Sequence, residues 1–416
     1  MWISPCLVKK TGYAIPDSGK CLTEADGAAQ YLQSFRIVKS FHESPASMNT
    51  VTSKSVPENL GKNLVKNLAK NICIVGAGAI GGFVGAKLAQ AGHNVSLIVR
   101  GAHLAAIQRD GLRLIHAGAE PGTAQVIRNL RVGSDLRAFG PQDVVILGMK
   151  AHQVSAVLDD LPALLHAQTI IVPMQNGIPW WYFQRHNPGA EAIDPAWLNR
   201  AVETVDPGGR IAASIDPARI LGCVVYPACE LAAPGLIRHI EGERFPLGEL
   251  DGSNSERVQQ LAAIFVQAGL KSPVLSDIRA EIWLKLWGNL SFNPLSALTH
   301  ATLVDICQYP PSRELAASLM REAEQVAARL GIRFRVTLEK RIAGAEKVGR
   351  HKTSMLQDVE SGRDPEIDAL VGAVLELGRL VGVDTPCLSA TYALVKLLAR
   401  TMRDDKVMIR ACALPA

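Results

Sequence analysis

A chain of 416 residues with 48% hydrophobic and 20% charged residues has the make-up of a soluble globular protein and the length for two domains with their own cores. The net charge of +5 lies mostly in residues 1–70, which carry nine Lys and Arg against five Asp and Glu; the remaining body, near +1, offers no basic face for nucleic acid. No apolar run nears the roughly 18–20 residues of a bilayer span, and the first residues lack the continuous apolar core of a secretory signal.

The eight cysteines (6, 21, 73, 223, 229, 307, 387, 412) form no CxxC pair, and Cys73 and Cys223 fall in apolar strand-like runs. Reduced, packed thiols in a cytoplasmic protein are expected, with no disulfide framework and no metal site. Residues 1–69 show no sustained period and read as a flexible extension. Met48 opens a second natural start, and scarce arginine with acidic residues present argues against an import peptide.

From residue 71 strand and helix patterns alternate. Strands are expected at NICIV (71–75), NVSLIV (94–99), DVVILGM (143–149), TIIVPM (169–174) and RILGCVVY (219–226), with helix-like AIGGFVGAKLAQA and HQVSAVLDDLPALL between them. GLIRHIEGERFPLGEL (235–250) reads as a hairpin, and from about residue 278 helical periodicity takes over until near 405. The fold class is therefore α/β: a Rossmann-type, doubly wound parallel sheet over 70–277, then an all-helical domain over 278–405 and a tail at 406–416. The ligand cleft is expected between the two domains.

The loop Gly76-Ala77-Gly78-Ala79-Ile80-Gly81 follows the first strand and opens a helix, as a dinucleotide site requires. Gly76 permits the turn, Gly78 admits the pyrophosphate, and Gly81 lets helix and strand pack closely, while the helix N-terminus holds phosphate. Nineteen positions after Gly81, where an acid would accept from a ribose hydroxyl, stands Arg100. Its guanidinium suits a 2′-phosphate, so NADP(H) is the expected cofactor, an exposed strand-end arginine being the plainer reading. Lys150 and Asn176 end the next two strands on the same sheet edge, where Lys150 can meet cofactor phosphate or ribose and Asn176 the nicotinamide.

IRAEIWLKLWGNLSFNPLSALT (278–299) is the expected catalytic helix. Lys285, Asn289 and Asn293 fall on one face, and Pro294 should kink the helix and displace Asn293. A lysine flanked by amides suits reduction of a carbonyl, Lys285 giving the proton and the asparagines orienting polar groups. An ordinary i,i+4 pair between Glu281 and Lys285 is the alternative. Ser354 can bind a substrate carboxylate, or with Gln357 form a capping box. Glu366 can hold Lys285 or a substrate hydroxyl, or mark a helix start after Asp364-Pro365.

GAGAIGG, Arg100, MKAHQV, QNG, AEIWLKLWGNLSFNPLSALT, SMLQD and PEID stand in the order of the ketopantoate reductase (2-dehydropantoate 2-reductase) family, which the chain resembles over about residues 70–400. The resemblance implies NADPH-dependent reduction of a 2-oxo acid, ketopantoate to pantoate for pantothenate synthesis. It marks Lys285 and Glu366 as catalytic, Asn289, Asn293, Ser354 and Asn176 as substrate-binding, and Arg100, Lys150 and Asn176 as cofactor-binding. The interval from Ser354 to Glu366 also agrees with the family, which favours a site role over plain capping. Two departures stand out: WWYF (180–183) with the stretch to about 217 that follows it, and His351 where an asparagine is usual. A reductase of a bulkier 2-oxo acid and a non-catalytic NADP-binding sensor are the rival readings. A homodimer is left open.

Overall fold

The computed structural model describes residues 71–120, 122–186 and 194–412. The extension expected at 1–69, residues 187–193 of the stretch after the aromatic run, and the last residues of the tail lie outside them.

β1 (Asn71–Val75) buries every residue after Asn71 and passes through the glycine loop into α1 (Ala79–Gln90). Gly76 makes this turn at φ +88°, and a Cβ there would stand 2.7 Å from the Met149 nitrogen, so the turn tolerates no side chain. The chain continues through β2 (Asn94–Ile98), α2 (Gly101–Asp110), β3 (Leu112–Ile115), β4 (Gln125–Ile127), β5 (Leu130–Gly133), β6 (Val144–Leu147) and β7 (Ile170–Pro173). The main sheet runs β5-β2-β1-β6-β7 with every pairing parallel. Its central strands read as unbroken apolar runs because both faces are covered. Strand order reverses beside β1, which opens a crevice at the carboxyl ends of the strands.

The helix expected in HQVSAVLDDLPALL is instead two 3₁₀ segments, Ala151–Val157 and Leu161–Leu164. Pro162 has no N–H to continue an α-helix, and Gln153 turns its side chain back to the Lys150 backbone N–H at 3.2 Å.

β8 (Leu221–Cys223), β9 (Ala228–Ala233), β10 (Leu236–Glu241) and β11 (Leu247–Glu249) follow. The hairpin expected within 235–250 does not form. β10 pairs antiparallel with β9 across Pro234-Gly235 and parallel with β3, whereas β11 pairs with β8. The turn-forming dipeptide lies ahead of the expected hairpin, and β3, unseen in the sequence, takes β10's other edge.

α3 (Glu256–Gln267) leads to α4 (Ile278–Thr299), the axle of the helical part. Around α4 pack α5 (Leu303–Gln308), α6 (Pro310–Arg329), α7 (Leu338–Lys347), α8 (Ser354–Glu360), α9 (Ala373–Val381) and α10 (Pro386–Asp404). α4 buries 16 of its 22 residues, which explains why it reads apolar on nearly every side. It stays continuous through Pro294, so the displacement expected of Asn293 is not seen; Asn293 remains helical and buried.

The aromatic run 180–183 is core: none of the four is more than 2% exposed. The buried Arg279 guanidinium donates to the carbonyls of Tyr182, Leu250 and Gln184, and Trp283 Nε1 donates to Tyr182 Oη at 2.8 Å, which ties this run to α4. Beyond α10 the chain folds back on α8, Ile409 N donating to Val359 O at 3.3 Å and Arg410 Nε to Glu360 O at 2.6 Å. Among the described residues the cysteines are free, no His/Cys/Asp/Glu cluster suits a metal, and no helix is long and apolar enough to cross a membrane.

Candidate active site

A cleft of about 1400 Å³ runs along the carboxyl edge of the main sheet, larger than the roughly 300–1,000 Å³ of a typical small-ligand pocket. Its floor is the loop of Gly76, Ala77, Gly78, Ala79 and Ile80. No atom lies within 4 Å of where a Cβ on Gly78 would stand, so this open cradle at the N-terminus of α1 fits a pyrophosphate. Gly81 meets its expected packing role, because a Cβ there would come 2.6 Å from Gly76 O. Arg100 is exposed just beyond the end of β2 and lines the same cleft, and its guanidinium has no hydrogen-bond partner among the described residues. The residues present therefore fit a dinucleotide with an additional anionic group near Arg100.

His103, not singled out in the sequence, locks this floor in place. Its Nδ1 accepts from Gly235 N at 2.8 Å, which leaves Nε2–H to donate to Ala77 O at 3.0 Å. Burial pushes its pKa down, keeping the ring neutral in that tautomer. The available signal was its place three residues after Arg100, one turn into α2.

Lys285 is half-buried on α4, and its Nζ donates to Asn176 Oδ1 at 2.5 Å and to the Val225 carbonyl. Asn176 Nδ2 in turn donates to Glu366 Oε2 at 3.3 Å, and Glu366 Oε1 accepts from Ala151 N at 3.3 Å. Glu366 thus reaches Lys285 through the amide of Asn176, with no direct ion pair between them among the contacts present. Gly177 makes this possible. At φ +85° its missing Cβ would stand 2.2 Å from Ala369 O, so the loop carrying Asn176 docks against the backbone just beyond Glu366. A helix starts there, as expected after Asp364-Pro365: Leu370 N donates to Glu366 O at 3.2 Å, and its first residues, Asp368–Gly372, form a π-type turn. Burial lowers the Lys285 pKa to about 8, with Glu366 and Cys223 raising it and Arg341 lowering it further.

The i,i+4 pair between Glu281 and Lys285 is not formed. Glu281, 2% exposed, accepts from Tyr226 Oη at 2.7 Å and pairs with Arg244 and Arg335. Its carboxylate is fully engaged by these three partners, which leaves none of it for Lys285 one turn along the same face.

Asn289 lines a small cavity with Lys285 and Asn176. Asn293 Nδ2 donates to Ser354 Oγ at 3.5 Å, the outer limit of a hydrogen bond. Ser354 does not cap α8: Thr353 does, its Oγ1 accepting from Leu356 N at 3.3 Å, while Gln357 Nε2 turns to Lys352 O. Ser354 is left to face the large cleft with Glu366 and His351. Asn176 borders both the cleft and the small cavity. Lys150 also lines the cleft, but its Nζ is taken by the Asp358 carboxylate at 2.7 Å and Asp364 O at 2.8 Å. It bridges the sheet edge to the helical part, a contact no local pattern foretold.

The family model described as Ketopantoate reductase PanE/ApbA matches residues 72–180, and that described as Ketopantoate reductase PanE/ApbA C terminal matches residues 277–399. A 2-dehydropantoate 2-reductase from Mesorhizobium japonicum is 53% identical over 329 residues, 79% of this chain and 97% of its own. The crystal structure of a candidate ketopantoate reductase from Ralstonia solanacearum MolK2 matches with TM-score 0.73 at 41% identity, over 80% of this chain and 98% of its own. The ternary structure of D-mandelate dehydrogenase with NADH and anilino(oxo)acetate matches with TM-score 0.67 at 24% identity, over 80% of this chain and 99% of its own, a likeness of fold. With a cleft that fits a dinucleotide beside a half-buried lysine, this chain is an oxidoreductase and belongs to the ketopantoate reductase family.

Proposed function

We propose that the protein reduces 2-dehydropantoate to pantoate with NADPH, the reaction that supplies pantoate for pantothenate synthesis. The observation that carries this reading is the run Lys285–Asn176–Glu366 at the edge of the dinucleotide cleft. In this reading the α/β part, 70–277, holds the cofactor and the helical part, 278–405, holds most of the substrate. Gly76, Ala77, Gly78, Ala79, Ile80 and Gly81 form the pyrophosphate cradle, Arg100 pairs with the 2′-phosphate, and Lys150 closes the cleft over the ribose side.

The bound cofactor supplies hydride from nicotinamide C4 to the substrate's carbonyl carbon. Negative charge then develops on the carbonyl oxygen, and the Lys285 ammonium stabilises it and gives it a proton. A lysine at its ordinary pKa is a reluctant acid at neutral pH; the half-buried Lys285, lowered to about 8, matches the task. Asn176 holds the ammonium in place, and Glu366, at the far end of that amide, keeps a negative charge near it. Ser354 and Asn293 take the substrate carboxylate, and Asn289 orients the substituent next to Lys285.

Steady-state NADPH oxidation by the purified protein, with ketopantoate as substrate and NADH in parallel, is the direct test. Rapid turnover with NADPH and slower turnover with NADH is expected. No turnover of ketopantoate with either cofactor would overturn the reading.

A further inference from the structure

Arg341, on α7, carries a guanidinium that nothing balances. Its side chain has no hydrogen bond and no ion pair among the described residues, and its Nε is buried without an acceptor. Burial pulls its pKa down, yet an arginine keeps its proton in a protein, so the charge stays. A charge taken out of water without a partner is costly, and folding alone gives no reason to keep one. The guanidinium rests on α4 itself. A Cβ on the buried Gly288 would stand 2.9 Å from Arg341 Cζ, so the bare glycine is the seat of the charge. Gly288 lies three residues after Lys285, a spacing that makes neighbours on a helix, and the charge reaches both Lys285 and Tyr226.

The other titratable groups around Lys285 do not cancel it. Glu281, one turn before Lys285 on α4, is taken by Tyr226, Arg244 and Arg335. Tyr226, donating to Glu281, stays a neutral phenol, its pKa pushed up to about 12 by burial and by that carboxylate. Cys223 on β8 stays a neutral thiol, which burial pushes up to about 12 as well. Glu366 meets Lys285 only through the amide of Asn176. Reduction takes a proton from Lys285 Nζ to the substrate's carbonyl oxygen, which breaks an N–H bond, makes an O–H bond and leaves a neutral amine. Two neighbouring cations then become one, and the repulsion between them is relieved. We propose that Arg341 is a positioning residue of the reaction: its unbalanced charge, seated on Gly288, drives the Lys285 proton onto the product oxygen. This rests on the reductase reading above and deepens it by naming the charge that, together with burial, makes the lysine an acid near neutral pH.

The test is the titration of Lys285, followed by NMR of protein isotope-labelled at lysine Cε, the signal being assigned by its loss in K285M. The falling limb of ketopantoate reduction with NADPH is read beside it. The midpoint is expected at about pH 8 in wild type and about one unit higher in R341M, the scale of a neighbouring charge, with the limb moving alike. I342V loosens α7 at a buried position without touching charge and should leave the midpoint in place. G288A, which displaces the guanidinium, should raise the midpoint by itself and add nothing in R341M. Should R341M not fold, R341Q reads the same midpoint. A midpoint that the neutral variants leave in place, or that I342V moves as far, overturns the role of Arg341. A further rise when G288A is added to R341M overturns the seat on Gly288, and a moved midpoint with an unmoved limb overturns the part in the proton step. Absence of wild-type turnover on any 2-oxo acid overturns the reductase reading itself, whatever the midpoint does.

Discussion

The dinucleotide cradle, from Asn71 to Arg100, is one continuous stretch in which strand, turn, helix and strand follow without a break. The lysine site draws together residues far apart in the chain: Lys285 meets Asn176 across 109 positions and Val225 across 60, and Asn176 meets Glu366 across 190. A local site can be read from spacing because each residue's place follows from its neighbour's dihedral angles. A site gathered from four elements exists only when the packing between them is right. Here that packing turns on Gly177 and the π-type turn beyond Glu366.

The largest effect that can break this comparison falls on the gathered site. Lys285→Met keeps the stem and removes the proton donor, and kcat should fall by about 10²-fold or more with the NADPH KM little changed. Wild-type reduction should hold its rate below pH 8 and fall as pH rises past about 8, because the half-buried lysine is then deprotonated. The reverse, oxidative direction should gain over the same interval. A reduction profile flat up to pH 10 would remove Lys285 from the proton step.

The local site is sharpened by Arg100→Ala. The KM for NADPH should rise about ten- to hundredfold, the scale of a charge-assisted hydrogen bond, while the KM for NADH stays put. Equal changes for both cofactors would make Arg100 a plain strand-end residue.

The smallest effects separate capping from binding at neighbouring positions. Thr353→Ala should cost about 1 kcal/mol in denaturant unfolding and leave the ketopantoate KM unchanged, as expected of an N-cap. Ser354→Ala should leave stability unchanged and raise that KM by about tenfold, the lower end for a hydrogen bond to a charged group. The opposite pattern would return Ser354 to the cap.

The legible parts of the site were those that helical or strand periodicity places. Lys285, Asn289 and Asn293 were put on one face of one helix by counting, and the structure keeps them on α4. Their partners were legible only in part. The sequence left Lys285 poised between Glu281 and Glu366, and burial decided it: Glu281 is bound by Tyr226, Arg244 and Arg335 in the interior. His103 carries no motif, and its role rests on Ala77 and Gly235, which approach it from two other segments.

Taken alone, the sequence determined the alternation of strands and helices, the glycine turn before α1 and the apolar length of α4. Those features are written in steps of about two or 3.6 residues and in the dihedral freedom of single glycines. Only the tertiary structure decided that β10 pairs with β9 and β3, that Lys150 reaches Asp358, and that Trp181 closes the cavity beside Lys285. Strand partners, buried ion pairs and cavity walls depend on which surfaces meet. That is set by the burial of whole faces against one another, and no local period records it.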